Sequence, residues 1–209
     1  MEIIIDNYTK IFKPDNVVLE KVNYRFRGGR IYGLYGKNGS GKTMLMRAIS
    51  GLIFPTEGKV LIDDKELRKD IDFPGSIGIL LENPYFLNHY TGFNNLKLLA
   101  AIKNRISDDD IKNCLEKVGL DSNDKRKVKK YSLGMKQRLG IAAAIMENPD
   151  ILLLDEPFNA IDENSYDLIR KIIKEFKIAG KIVIIANHDF EELNVLCDEI
   201  IKMSNGRII

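Results

Sequence analysis

"GLYGKNGSGKTMLM", residues 33–46, sets four glycines, two lysines and a threonine between an apolar run and a helix-forming segment. Glycines reach positive φ, so successive N–H groups can turn inward and form a concave nest for an anion at a helix N-terminus. Residues Gly36, Lys37, Asn38, Gly39, Ser40, Gly41, Lys42 and Thr43 fit the G-x-x-x-x-G-K-[ST] phosphate loop. In such a loop Lys42 is expected to reach the β- and γ-phosphates of a nucleotide, and the Thr43 hydroxyl to ligate Mg²⁺; the loop alone does not choose among kinases, GTPases and motor ATPases.

The segments on either side alternate between strand and helix patterns. "EIII" from Glu2 and "VVLEKVNYRF" predict strands, the second half-buried in a hairpin, and a Gly28-Gly29 turn leads into "IYGL". A helix is expected from Thr43 to about Ser50 with Gly51 as its stop, followed by strands at "KVLID" and "SIGILL". From 82 to 148 the pattern is mostly helical, with Thr91 and Ser107 as caps and Asp110 three residues after the second. Strands return at "ILLLD" and "KIVIIAN", separated by a helix from Glu163, and a hairpin closes around Asn205-Gly206. Near-continuous apolar strands divided by helices imply an α/β sheet covered on both faces. The expected organisation is one domain, 1–209, with its core in 1–81 and 149–209 and a helical subdomain at 82–148.

Composition narrows the function classes. A formal net charge of +2, from 32 basic and 30 acidic residues, argues against nucleic-acid steering. The longest apolar runs are strand-length, whereas a membrane span takes about 20 residues. No secretion signal is recognisable, so a cytosolic chain is expected. Cys114 and Cys197 lie among apolar residues and read as packing; "KRKVKK" at 125–130 reads as a solvated face, and His89 carries no role.

"ILLLDEP", residues 151–157, delivers two adjacent carboxylates at a strand end, where α/β sheets place their ligands. Asp155 suits the Mg²⁺ shell, and Glu156 could orient and polarise a water attacking the γ-phosphate.

"YSLGMKQRLGIAAAIMENPDILLLDEP", from residue 131, resembles the ATP-binding subunits of ABC transporters, whose signature is Leu-Ser-Gly-Gly-Gln. Ser132 and Gly134 match that signature, while Tyr131, Leu133 and Met135 depart from it. The resemblance implies a phosphate-loop NTPase with a RecA-like core, an N-terminal antiparallel β subdomain and an inserted α-helical subdomain. It also implies that Ser132, Leu133, Gly134 and Met135 contact ATP held by a partner cassette, and that Asn159, Ala160, Ile161 and Asp162 form the D-loop. By the same resemblance His188 is the switch histidine and Phe12 stacks on adenine, with Tyr8 as the alternative. Met44 replaces a hydroxyl common after the phosphate-loop threonine, so one α-phosphate contact is lost or left to the backbone. Glu82 stands where the family carries a glutamine that touches Mg²⁺; a carboxylate can still ligate that ion.

The implied assembly is a homodimer or heterodimer with another ABC ATPase subunit. It would sit on the inner face of the membrane against integral permease subunits that meet the segment from Glu82 to Asn95. The motif variant resembles bacterial exporters of drugs or antimicrobial peptides. A soluble ABC-type ATPase acting on nucleic acid or ribosomes is the alternative, opposed by the single cassette and the lack of a long coiled-coil insert.

Overall fold

The computed structural model describes residues 1–13, 16–82 and 84–209. Strands β1 (Glu2–Ile11), β2 (Val17–Arg27), β4 (Glu57–Ile62) and β5 (Lys65–Glu66) form an antiparallel sheet in the order β2-β1-β4-β5. A second sheet runs β10-β9-β3-β8-β7-β6, from β10 (Arg207–Ile208), β9 (Glu199–Ser204), β3 (Arg30–Tyr35), β8 (Ile182–Asn187), β7 (Ile151–Asp155) and β6 (Ile77–Leu80). Its strands are parallel except β10, which turns back on β9.

Among the described residues the α-helices are α1 (Lys42–Ile49), α2 (Gly92–Lys103), α3 (Asp108–Lys117), α4 (Leu133–Ile145), α5 (Glu163–Ile178) and α6 (Phe190–Leu196). Their starts follow local chemistry. Thr91 accepts the Asn94 N–H at 3.1 Å, and Ser107 and Asp110 form a reciprocal capping box on α3. By contrast α1 begins after Gly41, at φ 105, with no side-chain cap, which leaves its first N–H groups available to a ligand. Cys197 ends α6 rather than lying inside it.

Strand β8 shows how the parallel sheet joins two cores. Ile182, Ile184 and Ala186 face the antiparallel sheet and α1, while Val183 and Ile185 face the helices on the other side. Each of these is fully buried, and such a Val or Ile contributes about 1.5–3 kcal/mol over its exposed state. The helices of 82–148 share the second of these cores: Leu96, Leu115, Leu139 and Ile145 cluster with Leu152 and Leu154 of β7. Contact there is backbone to backbone, since a Cβ added to Gly78 of β6 would lie 1.8 Å from the Ala144 carbonyl oxygen of α4. Both cysteines are packing residues whose thiols burial pushes up to about 12, and Cys114 donates to the Ala142 carbonyl at 3.4 Å. Of the 125–130 run only Val128 is buried.

Candidate active site

At the carboxyl ends of β3, β7 and β8 lies a cavity of about 330 Å³. Asn38, Gly39, Ser40, Lys42 and Thr43 line one side; Glu82, Gln137, Asp155, Glu156 and Asn159 line the other. The first group comes from one contiguous loop, and the second is gathered from three distant segments.

The loop is built for an anion. Gly39 and Gly41 sit at φ 80 and 105, and the Lys42 ammonium donates to the carbonyls of Gly36 at 2.6 Å and Lys37 at 3.2 Å. Burial lowers the Lys42 pKa, against the attraction of Asp155 and Glu156. The Ser40 hydroxyl is buried with no hydrogen-bond partner among the described residues, and a buried orphan of this kind costs stability until something satisfies it. Triphosphate oxygens would satisfy Ser40 and the free N–H groups of α1 together, so the residues fit such a group. The Met44 side chain packs into the core beneath, leaving only its backbone on the loop side.

Beyond the loop, the Thr43 hydroxyl donates to the Asp155 carboxylate. Burial raises Asp155 above the usual carboxylate range, although the Thr43 bond opposes it. Glu156 behaves differently: burial works to raise it, but hydrogen bonds from His188 and Asn159 and the attraction of His188 and Lys42 outweigh burial and lower it. His188 Nδ1 lies 2.9 Å from one Glu156 oxygen, Asn159 Nδ2 donates to the other, and Gln137 Nε2 donates to the Glu156 carbonyl at 3.0 Å. Glu156 itself adopts φ 47, and its N–H donates to Ala186 at 2.9 Å. The site therefore holds an ionised carboxylate in a fixed orientation beside a lysine and a hydroxyl.

Two further features of this wall are not predicted from sequence. Gln137 lies six positions after Tyr131, within the matching stretch, yet only folding brings it to Glu156. Arg47 of α1 donates to Glu82 at 2.8 Å, and Glu82 is another left-handed residue, at φ 57. This ion pair engages the carboxylate that the sequence assigns to the metal.

Of the two aromatics considered for adenine, Tyr8 is excluded. It is 1% exposed and donates to the Ile53 carbonyl at 3.2 Å, so its ring belongs to the core. Phe12 is 50% exposed, with the Lys10 ammonium 4.8 Å from its ring centre.

The signature residues stand apart from this cavity. Ser132 caps α4 by accepting the Met135 N–H at 3.2 Å, and Leu133 is exposed. None of residues 132–135 lines the phosphate-loop cavity. Instead α4 abuts the 159–162 segment of its own chain, which the resemblance assigns to the D-loop: a Cβ on Gly134 would meet the Ala160 carbonyl oxygen at 2.5 Å, and Ala160 is at φ 59. Ile161 packs against the core, and Asp162 caps α5 by accepting the Ser165 N–H at 3.0 Å.

Relatives share both the sequence and the architecture. The ABC transporter family model matches residues 19–159. An uncharacterized ABC transporter ATP-binding protein of Bacillus subtilis is 50% identical over 202 residues, covering 97% of this chain and 92% of its own. The bacitracin transport ATP-binding protein of Enterococcus faecalis is 37% identical, across 100% of this chain and 69% of its own. A dimeric, post-hydrolysis structure of the ATP-binding cassette MJ0796 with ADP and Pi has a TM-score of 0.86 at 27% identity, covering 99% of this chain and 96% of that one. With the phosphate loop, the paired strand-end carboxylates and the α4 motif in their places, this chain belongs to the ABC transporter family, as an ATP-binding and ATP-hydrolysing subunit.

Proposed function

We propose that this subunit binds ATP between its own phosphate loop and residues 132–135 of a second cassette, and that the pairing drives export through separate membrane subunits. The observation that carries this reading is the division of labour within one chain. Lys42, Thr43, Asp155 and Glu156 line the cavity, with His188 bonded to Glu156 from outside the lining, while Ser132 and Gly134 stand outside it. A site completed by a second copy or a homologue accounts for that separation.

Within the cavity, Lys42 would exchange its loop carbonyls for phosphate oxygens, gaining charge-assisted bonds. Glu156, kept ionised, would accept a proton from the attacking water, and His188 and Asn159 fix its direction. Phe12 offers its exposed face to the base, while Gly36 to Met44 hold the phosphates. Thr43 and Asp155 would hold Mg²⁺, which when bound neutralises the charge developing on the phosphates. Among the described residues no cluster of three His, Cys, Asp or Glu side chains could hold a metal by itself, so the ion would arrive with the nucleotide. Glu82 gives Oε1 to Arg47, so its Oε2 would be the oxygen that joins the ion. Glu82→Ala should therefore weaken Mg²⁺-dependent turnover; unchanged turnover would remove Glu82 from the metal site.

Separate membrane subunits belong to this reading, and no helix among the described residues is long and apolar enough to cross a bilayer. Such subunits would keep the chain on the cytoplasmic face, docked near the 82–95 segment at the edge of the 82–148 subdomain. Export of a peptide-like compound is supported by the likeness to the bacitracin transport protein. The test is the mass of purified Glu156→Gln with and without ATP. An ATP-dependent dimer with hydrolysis reduced roughly 10²- to 10⁴-fold is expected. A strictly monomeric variant at high ATP would oppose self-pairing.

A further inference from the structure

Gln137 is absent from the sequence-derived site, yet the surroundings of Glu156 depend on it. It sits on α4, is 6% exposed, and its Nε2 donates to the Glu156 carbonyl at 3.0 Å. Glu156 is held at φ 47, a left-handed conformation that persists at a non-glycine residue only when neighbours impose it. Ala186 of β8 accepts its N–H at 2.9 Å, and Gln137 takes its carbonyl, so the peptide is fixed from two elements at once.

The same side chain stands between two cavities. One is the phosphate-loop cavity; the other is a groove of about 430 Å³ that includes Pro84, Phe86, Leu133 and Lys136. Among the described residues Gln137 alone lines both. Its helix has little freedom to roll, because a Cβ on Gly140 would meet Leu80 Cδ1 at 2.8 Å and Pro84 Cγ at 2.9 Å. Any displacement of α4 would therefore reach Glu156 through this amide.

We propose that Gln137 is a positioning residue for hydrolysis: its amide fixes the left-handed turn at Glu156 and ties the aim of that carboxylate to the placement of α4. Residues 132–135 lead the same helix. Contact of that end with a partner's nucleotide would thus bear on hydrolysis in this chain's own cavity. This rests on the proposed reading of the cavity as the ATP site.

Gln137→Met keeps the length of the side chain and removes the donor. The expected result is a kcat lowered roughly 10- to 100-fold, the effect of misaiming a reacting group. The KM for ATP should change less than about twofold, and calorimetric Mg-ATP binding should be retained. Gln137→Lys, which restores an N–H donor at similar reach, should recover part of the lost rate. A Gln137→Met rate within about twofold of the parent overturns the proposal, as does a loss of rate that tracks lost ATP affinity and is not relieved by Gln137→Lys. If the unsubstituted chain binds no ATP, the reading of the cavity fails and this proposal fails with it; retained binding with an unaltered rate removes this proposal alone.

Discussion

Burial raises the Asp155 carboxyl while the Thr43 hydroxyl pulls against it, so the folded chain binds a proton there more tightly than the unfolded chain does. Its contribution favours folding below the unfolded carboxyl range and is lost as pH rises through the folded value. At neutral pH the ionised group is a stability cost retained for function. Asp155→Asn, whose oxygen can still accept from Thr43, should raise the melting temperature at pH 7. The gain should fade below about pH 4, where both side chains are neutral, and Mg²⁺-dependent turnover should be lost. Calorimetric scans at both pH values check this; a lower melting temperature at pH 7 would contradict it. At this scale the sequence was legible where chemistry is contiguous, as in the phosphate loop and the Asp155-Glu156 pair. It was not legible where partners lie far apart along the chain. Gln137 meets Glu156 across 19 positions and Arg47 meets Glu82 across 35, and neither pairing leaves a local pattern. Burial alone separates Tyr8 from Phe12, and it depends on the whole sheet.

Among the elements, caps and starts were readable because they are local. Ser107→Ala should cost about 1 kcal/mol by removing one side of the capping box, measured as a shift in the denaturation midpoint. The junction between α4 and the D-loop was not readable, since the small size of Gly134 matters only once Ala160 lies against it. Gly134→Ala gains about 1 kcal/mol in helix propensity but forces a methyl against a backbone carbonyl at 2.5 Å. Overpacking of that kind costs about 1–3 kcal/mol, so a net loss of stability is expected. If the two elements move together, ATP-dependent pairing should weaken as well. Sedimentation of the Gly134→Ala, Glu156→Gln double variant against the single Glu156→Gln variant separates the two effects, and undiminished pairing would show that the junction is only structural.

For the whole molecule, the alternation of β8 between two cores places the phosphate loop, Asp155-Glu156 and His188 at one end of the parallel sheet. The α/β class followed from near-continuous apolar strands alternating with helices. The two-residue strand β5 escaped, because it exists through its ladder with β4 rather than through its own propensity. A cavity lacking residues 132–135 predicts that nucleotide stabilisation of Glu156→Gln depends on protein concentration. A ligand at 100 times its Kd adds about 2.7 kcal/mol to a complete site. Here the ATP-induced rise in melting temperature should grow as protein is concentrated, since each added contact comes from another molecule. A rise independent of concentration would mean that one chain suffices.

The bonds from the Lys42 ammonium to Gly36 and Lys37 tie the side chain back to its own loop. The lysine therefore acts as an internal latch on the glycine-rich turn. Lys42→Ala should accordingly speed amide hydrogen exchange across 37–41 even in nucleotide-free protein, a loss of rigidity distinct from the loss of phosphate charge.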